Sequence, residues 1–138
     1  MKKIVLVSCA SKKLDQAAKA EDLYISPLFR YNLAYARTLE PDAIYILSAK
    51  HGLLNLTDRI ESYDLTLNEM RSKEVKQWAQ MVLRQLRKEA DLEGDHFIFL
   101  AGARYRKYLV PHLASYEVPL EGLPIGKQLQ QLKEWLGE

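Results

Sequence analysis

The sequence predicts an α/β protein, a three-layer α/β/α sandwich around a mostly parallel sheet of about four strands. Three observations predict it. Short β-branched or aromatic runs recur along the chain, each is followed by a segment of helical periodicity, and the first run is apolar on both faces. A strand covered by helices on both sides has that last property. The 138 residues fit one domain, 1–138, and 48% hydrophobic residues supply a core while 28% charged residues supply its solvated shell.

The first strand is Lys3-Ile-Val-Leu-Val-Ser8, the second Ala43-Ile-Tyr-Ile-Leu-Ser48 and the third His96-Phe-Ile-Phe-Leu100. Ser115-Tyr-Glu-Val118 reads as an edge strand stopped by Pro119. Ser26-Pro27 reads as a helix cap with proline at the first helical position, and Leu28, Tyr31, Leu33, Tyr35 and Leu39 continue that helix toward Pro41. A longer helix is expected from about Asn68, its cap, to Ala90, with Val75, Trp78, Ala79, Val82, Leu83 and Leu86 on one face. Tyr105, Tyr108, Leu109 and His112 follow Gly102 at helical spacing. The last helix, roughly Lys127 to Leu136, offers Leu129, Leu132, Trp135 and Leu136 to the core.

Open sheets of this kind bind ligands outside the carboxyl ends of their strands. Two long connections fall there, Cys9 to Ile25 and Ala49 to Leu67. Both exceed the ~12–15 residues above which a structureless connection is usually functional.

Four segments on that edge carry candidate chemistry. Ser8-Cys9-Ala10-Ser11-Lys12-Lys13 puts small hydroxyls, backbone amides and lysines at a strand end, which suits a phosphate or a base edge through Ser8, Ser11 or Lys12. It lacks the glycines of a Walker A loop or a dinucleotide fingerprint. Leu47-Ser48-Ala49-Lys50-His51-Gly52 presents a proton shuttle in His51, a cation in Lys50 and a permissive backbone at Gly52, the alternative being a polar loop tip. In Asp58-Arg59-Ile60-Glu61-Ser62-Tyr63-Asp64, a carboxylate suits water activation or stabilisation of a cationic sugar, while Asp64 as a turn cap and Tyr63 as a core plug are the structural alternatives. Ala101-Gly102-Ala103-Arg104-Tyr105 turns tightly into a helix, so that Arg104 or Tyr105 reaches a phosphate or stacks on a base, though a tyrosine at this spacing also suits the core.

Other classes are excluded or disfavoured. His51, His96 and His112 are far apart and show no paired ligand spacing, so neither a metal site nor a cofactor is expected. The longest apolar run, Ile4 to Val7, is too short for a bilayer, and the lone Cys9 fits a reducing compartment, so a cytoplasmic protein without membrane attachment is expected. The net charge of +2 is too small to imply nucleic-acid binding by itself. Lys12, Lys13 and Lys19 nonetheless crowd the first connection, and Arg104, Arg106 and Lys107 follow the third strand.

The run Ser8-Cys9-Ala10-Ser11-Lys12-Lys13, then Leu47-Ser48-Ala49-Lys50-His51-Gly52-Leu53, then Tyr63-Asp64 before Thr66-Leu67 resembles a bacterial and phage family of uncharacterised domains. More distantly, the serine and lysine after the first strand, with Leu47-Ser48, Gly52-Leu53-Leu54, Asp58 and Tyr63, look like the YaaA peroxide-stress family. That resemblance implies a fold of the uracil-DNA-glycosylase type and an association with DNA. The resulting expectation is a protein directed at a nucleobase or nucleotide, free or in nucleic acid. One form is an enzyme cleaving an N-glycosidic bond, with Lys50, His51 and Asp64 catalytic. Ser8, Ser11, Lys12, Ser48, Gly52, Asp58, Tyr63, Gly102, Arg104 and Tyr105 would then bind substrate. The other is a non-catalytic binding module. A partner-binding role for the helices bearing Trp78 and Trp135 ranks below both, because tryptophans at helical spacing are usually core.

Overall fold

In the computed structural model, which describes residues 1–138, five strands form one sheet in the order β4-β3-β1-β6-β7. The chain begins with β1 (Lys3–Ser8), then β2 (Ala18–Lys19), α1 (Ala20–Leu23) and α2 (Pro27–Thr38). Next come β3 (Ala43–Ser48), β4 (Gly52–Asn55), β5 (Arg59–Ile60) and α3 (Ser72–Arg87), with a 3-10 turn at Leu67–Glu69. The chain ends with β6 (His96–Leu100), α4 (Ala103–Arg106), β7 (Ser115–Glu117) and α5 (Ile125–Trp135). β1 pairs in parallel with both β3 and β6, and β6 with β7, so the expected strands form one parallel block.

Alternation along the strands sorts the core into two layers. Ile4 and Leu6, with Tyr45, Leu47, Phe97 and Phe99, face α3, which contributes Val75, Trp78, Val82, Leu83 and Leu86. Val5 and Val7, with Ile46, Ile98 and Leu100, face Leu23 of α1, Phe29, Leu33 and Ala36 of α2, and Leu132 of α5. Each fully buried side chain of this size stabilises the fold by about 1.5–3 kcal/mol relative to exposure.

Several elements depart from the sequence reading. The expected four strands gain a fifth, β4, which folds back antiparallel on β3 through a turn at residues 49–51. Gly52, with φ +75°, makes that return possible. The second long connection is therefore largely structured, and its β5 pairs antiparallel with β2 from the first (Ala18↔Ile60, Lys19↔Arg59). Two-residue strands carry no periodicity, so no pattern announces them. The helix expected from Asn68 begins instead at Ser72. Thr66 Oγ1 accepts from the Asn68 amide at 3.2 Å within the 3-10 turn, and Glu74 Oε1 accepts from the Arg71 amide at 3.1 Å at the true start.

The Ser26 cap stands as expected, its Oγ accepting from the Phe29 amide at 3.2 Å. The buried face of α2, however, is Phe29, Asn32, Leu33 and Ala36, with Leu28, Tyr31, Tyr35 and Leu39 only partly covered. Trp135 is 42% exposed and stacks on Tyr35 at 4.7 Å rather than entering the core, whereas Trp78 is buried. His96 ties β6 to β7, its Nδ1 lying 2.6 Å from Ser115 Oγ. No helix is long and apolar enough to cross a membrane.

Candidate functional site

The strand order fixes where the sheet opens. From β1 the chain crosses by α2 on one face to β3, and from β4 it crosses by α3 on the other face to β6, on the opposite side of β1. The carboxyl ends of β1 and β6 thus diverge at a topological switch point, the usual place for a ligand in an open α/β sheet. A cavity of about 700 Å³ lies there.

Residues 8–11 leaving β1 form one wall and residues 99–106, leaving β6 through α4, form another. The starts of α2 and α5 close most of the remainder, together with Val118, the 120–123 turn, and Thr66 and Asn68 at the 3-10 turn. Half of the lining residues are hydrophobic, among them Leu28, Phe99, Leu120 and Leu123. The amino end of α2 carries a partial positive charge toward this space. Cys9 packs against both cores, its amide donates to Leu47 O at 2.9 Å, and its Sγ lies 3.3 Å from the Tyr105 hydroxyl. Burial pushes the Tyr105 phenol upward, so it stays protonated as a hydrogen-bond donor.

Two polar side chains stand out in this setting. Asn32, on the buried face of α2, is only 5% exposed, and its Oδ1 is buried with no hydrogen-bond partner. An orphaned amide oxygen in a protein interior costs about 1–3 kcal/mol. Arg106 of α4 donates from Nη1 to Ala101 O at 2.8 Å, and its Nη2 lies 3.8 Å from Glu121 Oε2. Glu121 is the cavity's single acidic lining residue.

A second polar cluster sits past the end of β3. Ser48 Oγ is 2.8 Å from the Tyr63 hydroxyl, which is 2.6 Å from the Tyr24 hydroxyl. Ser48 Oγ also accepts from the His51 amide at 3.1 Å, and Ser48 O accepts from Trp78 Nε1 at 2.8 Å. Burial raises the Tyr24 phenol to about 12 and pushes Tyr63 upward as well. Lys13 Nζ stands 4.4 Å from the centroid of the Tyr63 ring, and Lys50 Nζ 6.0 Å from it. The His51 ring meets Tyr63 edge-to-face at 5.6 Å, and its buried Nε2 has no hydrogen-bond partner. Burial, then the Lys50 charge, lowers the His51 pKa, with Asp58 opposing.

The predicted site residues therefore separate into groups. Ser8, Ser11, Gly102, Arg104 and Tyr105 line the cavity. Ser48, Lys50, His51 and Tyr63 gather at the second cluster. Gly52 opens β4, and Asp58 Oδ2 accepts from the Asn55 amide at 2.8 Å, bracing the turn that follows. Lys12 and Asp64 are exposed and line no part of the cavity. The Arg104 guanidinium donates to Leu67 O at 3.0 Å and to Met70 O, which ties α4 to the 3-10 turn.

Sequence reasoning missed Asn32, and it singled out Arg104 rather than Arg106. Asn32 carries a legible signal, a polar residue at helical spacing between Phe29 and Leu33 or Ala36. Nothing in the run Arg104-Tyr105-Arg106 says which arginine turns inward. No three His, Cys, Asp or Glu side chains converge as metal ligands would. Comparison with curated proteins and with solved structures finds no match. A family model does match residues 4–134, nearly the whole chain, and the protein belongs to that family of unknown function, DUF6884.

Proposed function

We propose that the switch-point cavity binds a nucleobase-bearing ligand, a nucleotide or a nucleotide unit of a nucleic acid. The observation that carries this reading is the Asn32 carboxamide, which lines a largely apolar cavity from α2 and makes no side-chain hydrogen bond; its Oδ1 is closed off as it stands, so reading a base requires the amide to turn toward the cavity. A carboxamide presents a donor and an acceptor side by side, the pattern that pairs with a base edge. The apolar walls suit the faces of a flat ring, and the cavity volume lies within the ~300–1,000 Å³ of typical small-molecule sites. The sequence likeness to the YaaA family points toward nucleic-acid chemistry as well.

Binding has more support here than hydrolysis of an N-glycosidic bond. Asp64 is exposed, Lys50 and His51 belong to the Tyr63 cluster, and the cavity's acidic residue, Glu121, is exposed at its rim. A buried, activated carboxylate is what the hydrolytic reading needs.

The test is a thermal-shift screen with nucleobases, nucleosides, nucleoside monophosphates and short single-stranded oligonucleotides. A ligand that binds only the native state raises its stability by about 2.7 kcal/mol at a hundredfold excess over Kd. At least one base-bearing compound raises Tm, and Asn32→Leu removes that rise without lowering the ligand-free Tm. No rise with any compound, or a rise unchanged in Asn32→Leu, refutes the reading. A rise confined to oligonucleotides identifies nucleic acid, rather than the free nucleotide, as the ligand.

A further inference from the structure

Arg106 is set up differently from its neighbours. Its side chain is 19% exposed, yet of the five N–H donors of a guanidinium one makes a close hydrogen bond, Nη1 to Ala101 O at 2.8 Å. The approach of Nη2 to Glu121 Oε2, at 3.8 Å, is too long for a hydrogen bond, and Glu121 is 68% exposed. None of the Arg106 nitrogens is sealed off without a partner, so the unused donors keep some exposure, and Arg106 is a lining residue of the cavity. Arg104, by contrast, is committed to the carbonyls of Leu67 and Met70. The amino end of α2, at the same cavity, adds positive potential.

We propose that Arg106 is the anion-binding arm of the cavity and that the ligand enters as a phosphorylated nucleotide rather than a free base or nucleoside. The inference rests on the base-binding role of Asn32 proposed above. Glu121 is then a loosely held resident counter-ion, which swings into solvent when a phosphate takes up the free edge of the guanidinium. Planar guanidinium groups pair with phosphate oxygens bidentately, and the bond from Nη1 to Ala101 O fixes the plane in advance.

Isothermal titration calorimetry with a base-matched nucleoside, its 5′-monophosphate and ribose 5-phosphate tests this. The monophosphate is expected to bind at least about tenfold more tightly than the nucleoside, the size of a charge-assisted hydrogen bond. Arg106→Gln erases that preference and leaves nucleoside affinity unchanged. Glu121→Gln, a change at an exposed side chain, strengthens monophosphate binding severalfold and leaves nucleoside binding alone. It decides the question even if Arg106→Gln does not fold. Equal affinity for nucleoside and monophosphate, a preference that survives Arg106→Gln, or no response to Glu121→Gln overturns the assignment of Arg106. If ribose 5-phosphate binds as tightly as the monophosphate, the base-reading role of Asn32 fails while Arg106 stands. If none of the three binds, both fail.

Discussion

The hydroxyls of Tyr24 and Tyr63 meet at 2.6 Å, and Ser48 Oγ joins Tyr63 at 2.8 Å, so three segments share one partly buried hydrogen-bond chain. Tyr24 follows α1, Ser48 ends β3 and Tyr63 follows β5, which fastens both long connections to the sheet. Tyr63→Phe leaves the Tyr24 hydroxyl without this partner and is expected to cost about 1–3 kcal/mol, read from urea denaturation. An unchanged urea midpoint would show that the chain of hydroxyls contributes nothing to stability.

The same tyrosines set an alkaline limit. Burial raises the Tyr24 phenol from 10.0 to about 12, and Tyr63 and Tyr105 are also raised by burial. Between these values the unfolded chain gives up protons that the native state keeps. The stabilisation is therefore complete below pH 10 and is lost as pH rises through 12. Unfolding midpoints measured across that range fall with pH, and the fall is shallower in Tyr24→Phe.

Gly52 is required on two counts. Its φ is +75°, and a Cβ there would lie 2.3 Å from Gln85 Oε1. Gln85 cannot easily yield, because Oε1 accepts from the Leu53 amide at 2.8 Å and Nε2 donates to His51 O at 3.1 Å. Gly52→Ala is expected to destabilise by about 1–3 kcal/mol. The Gly52→Ala/Gln85→Ala double variant loses less than the sum of the singles, because Gln85→Ala removes the clash. Strict additivity in denaturation would show that the two residues do not interact.

Arg104 and Lys50 separate stability from binding. Arg104→Ala removes the side-chain bonds to the Leu67 and Met70 carbonyls, of which Leu67 O still accepts from the Met70 amide at 3.1 Å, and lowers stability by about 1 kcal/mol. Lys50→Ala and Asp64→Ala change exposed side chains that do not line the cavity, and nucleotide affinity stays within about twofold of wild type. A large loss of affinity in Lys50→Ala would move the site to the β3–β4 turn, and one in Asp64→Ala to the segment after β5.

The parallel block was legible because β1 is apolar on both faces and β3 and β6 are short β-branched or aromatic runs, the length and composition that favour a covered strand over a buried helix. The Ser26-Pro27 helix start was legible from local chemistry alone. The β2–β5 ladder was not, since two paired residues leave no periodicity, and β4 was hidden in a short Gly-Leu-Leu-Asn run that reads as loop. The strand-end rule pointed to the edge of the sheet where the cavity lies, and Ser8, Ser11, Gly102, Arg104 and Tyr105 line it. It could not separate that cavity from the Tyr63 cluster, because both lie at strand ends. Both arginines line the cavity, and that Arg104 spends its donors on the Leu67 and Met70 carbonyls while Arg106 keeps most of its own depends on α4 meeting the 67–69 turn, a tertiary event with no local signature.

The most direct measurement is of Asn32 itself. Uniformly ¹⁵N-labelled protein is titrated with the four ribonucleoside 5′-monophosphates while its side-chain amide resonances are followed by NMR. At least one nucleotide is expected to shift the Asn32 side-chain N–H pair saturably, together with the Ser8 and Gly102 backbone amides, and to leave Lys50 and Asp64 in place. Shifts confined to residues 50–64, or no shift at Asn32 with any nucleotide, would contradict this expectation.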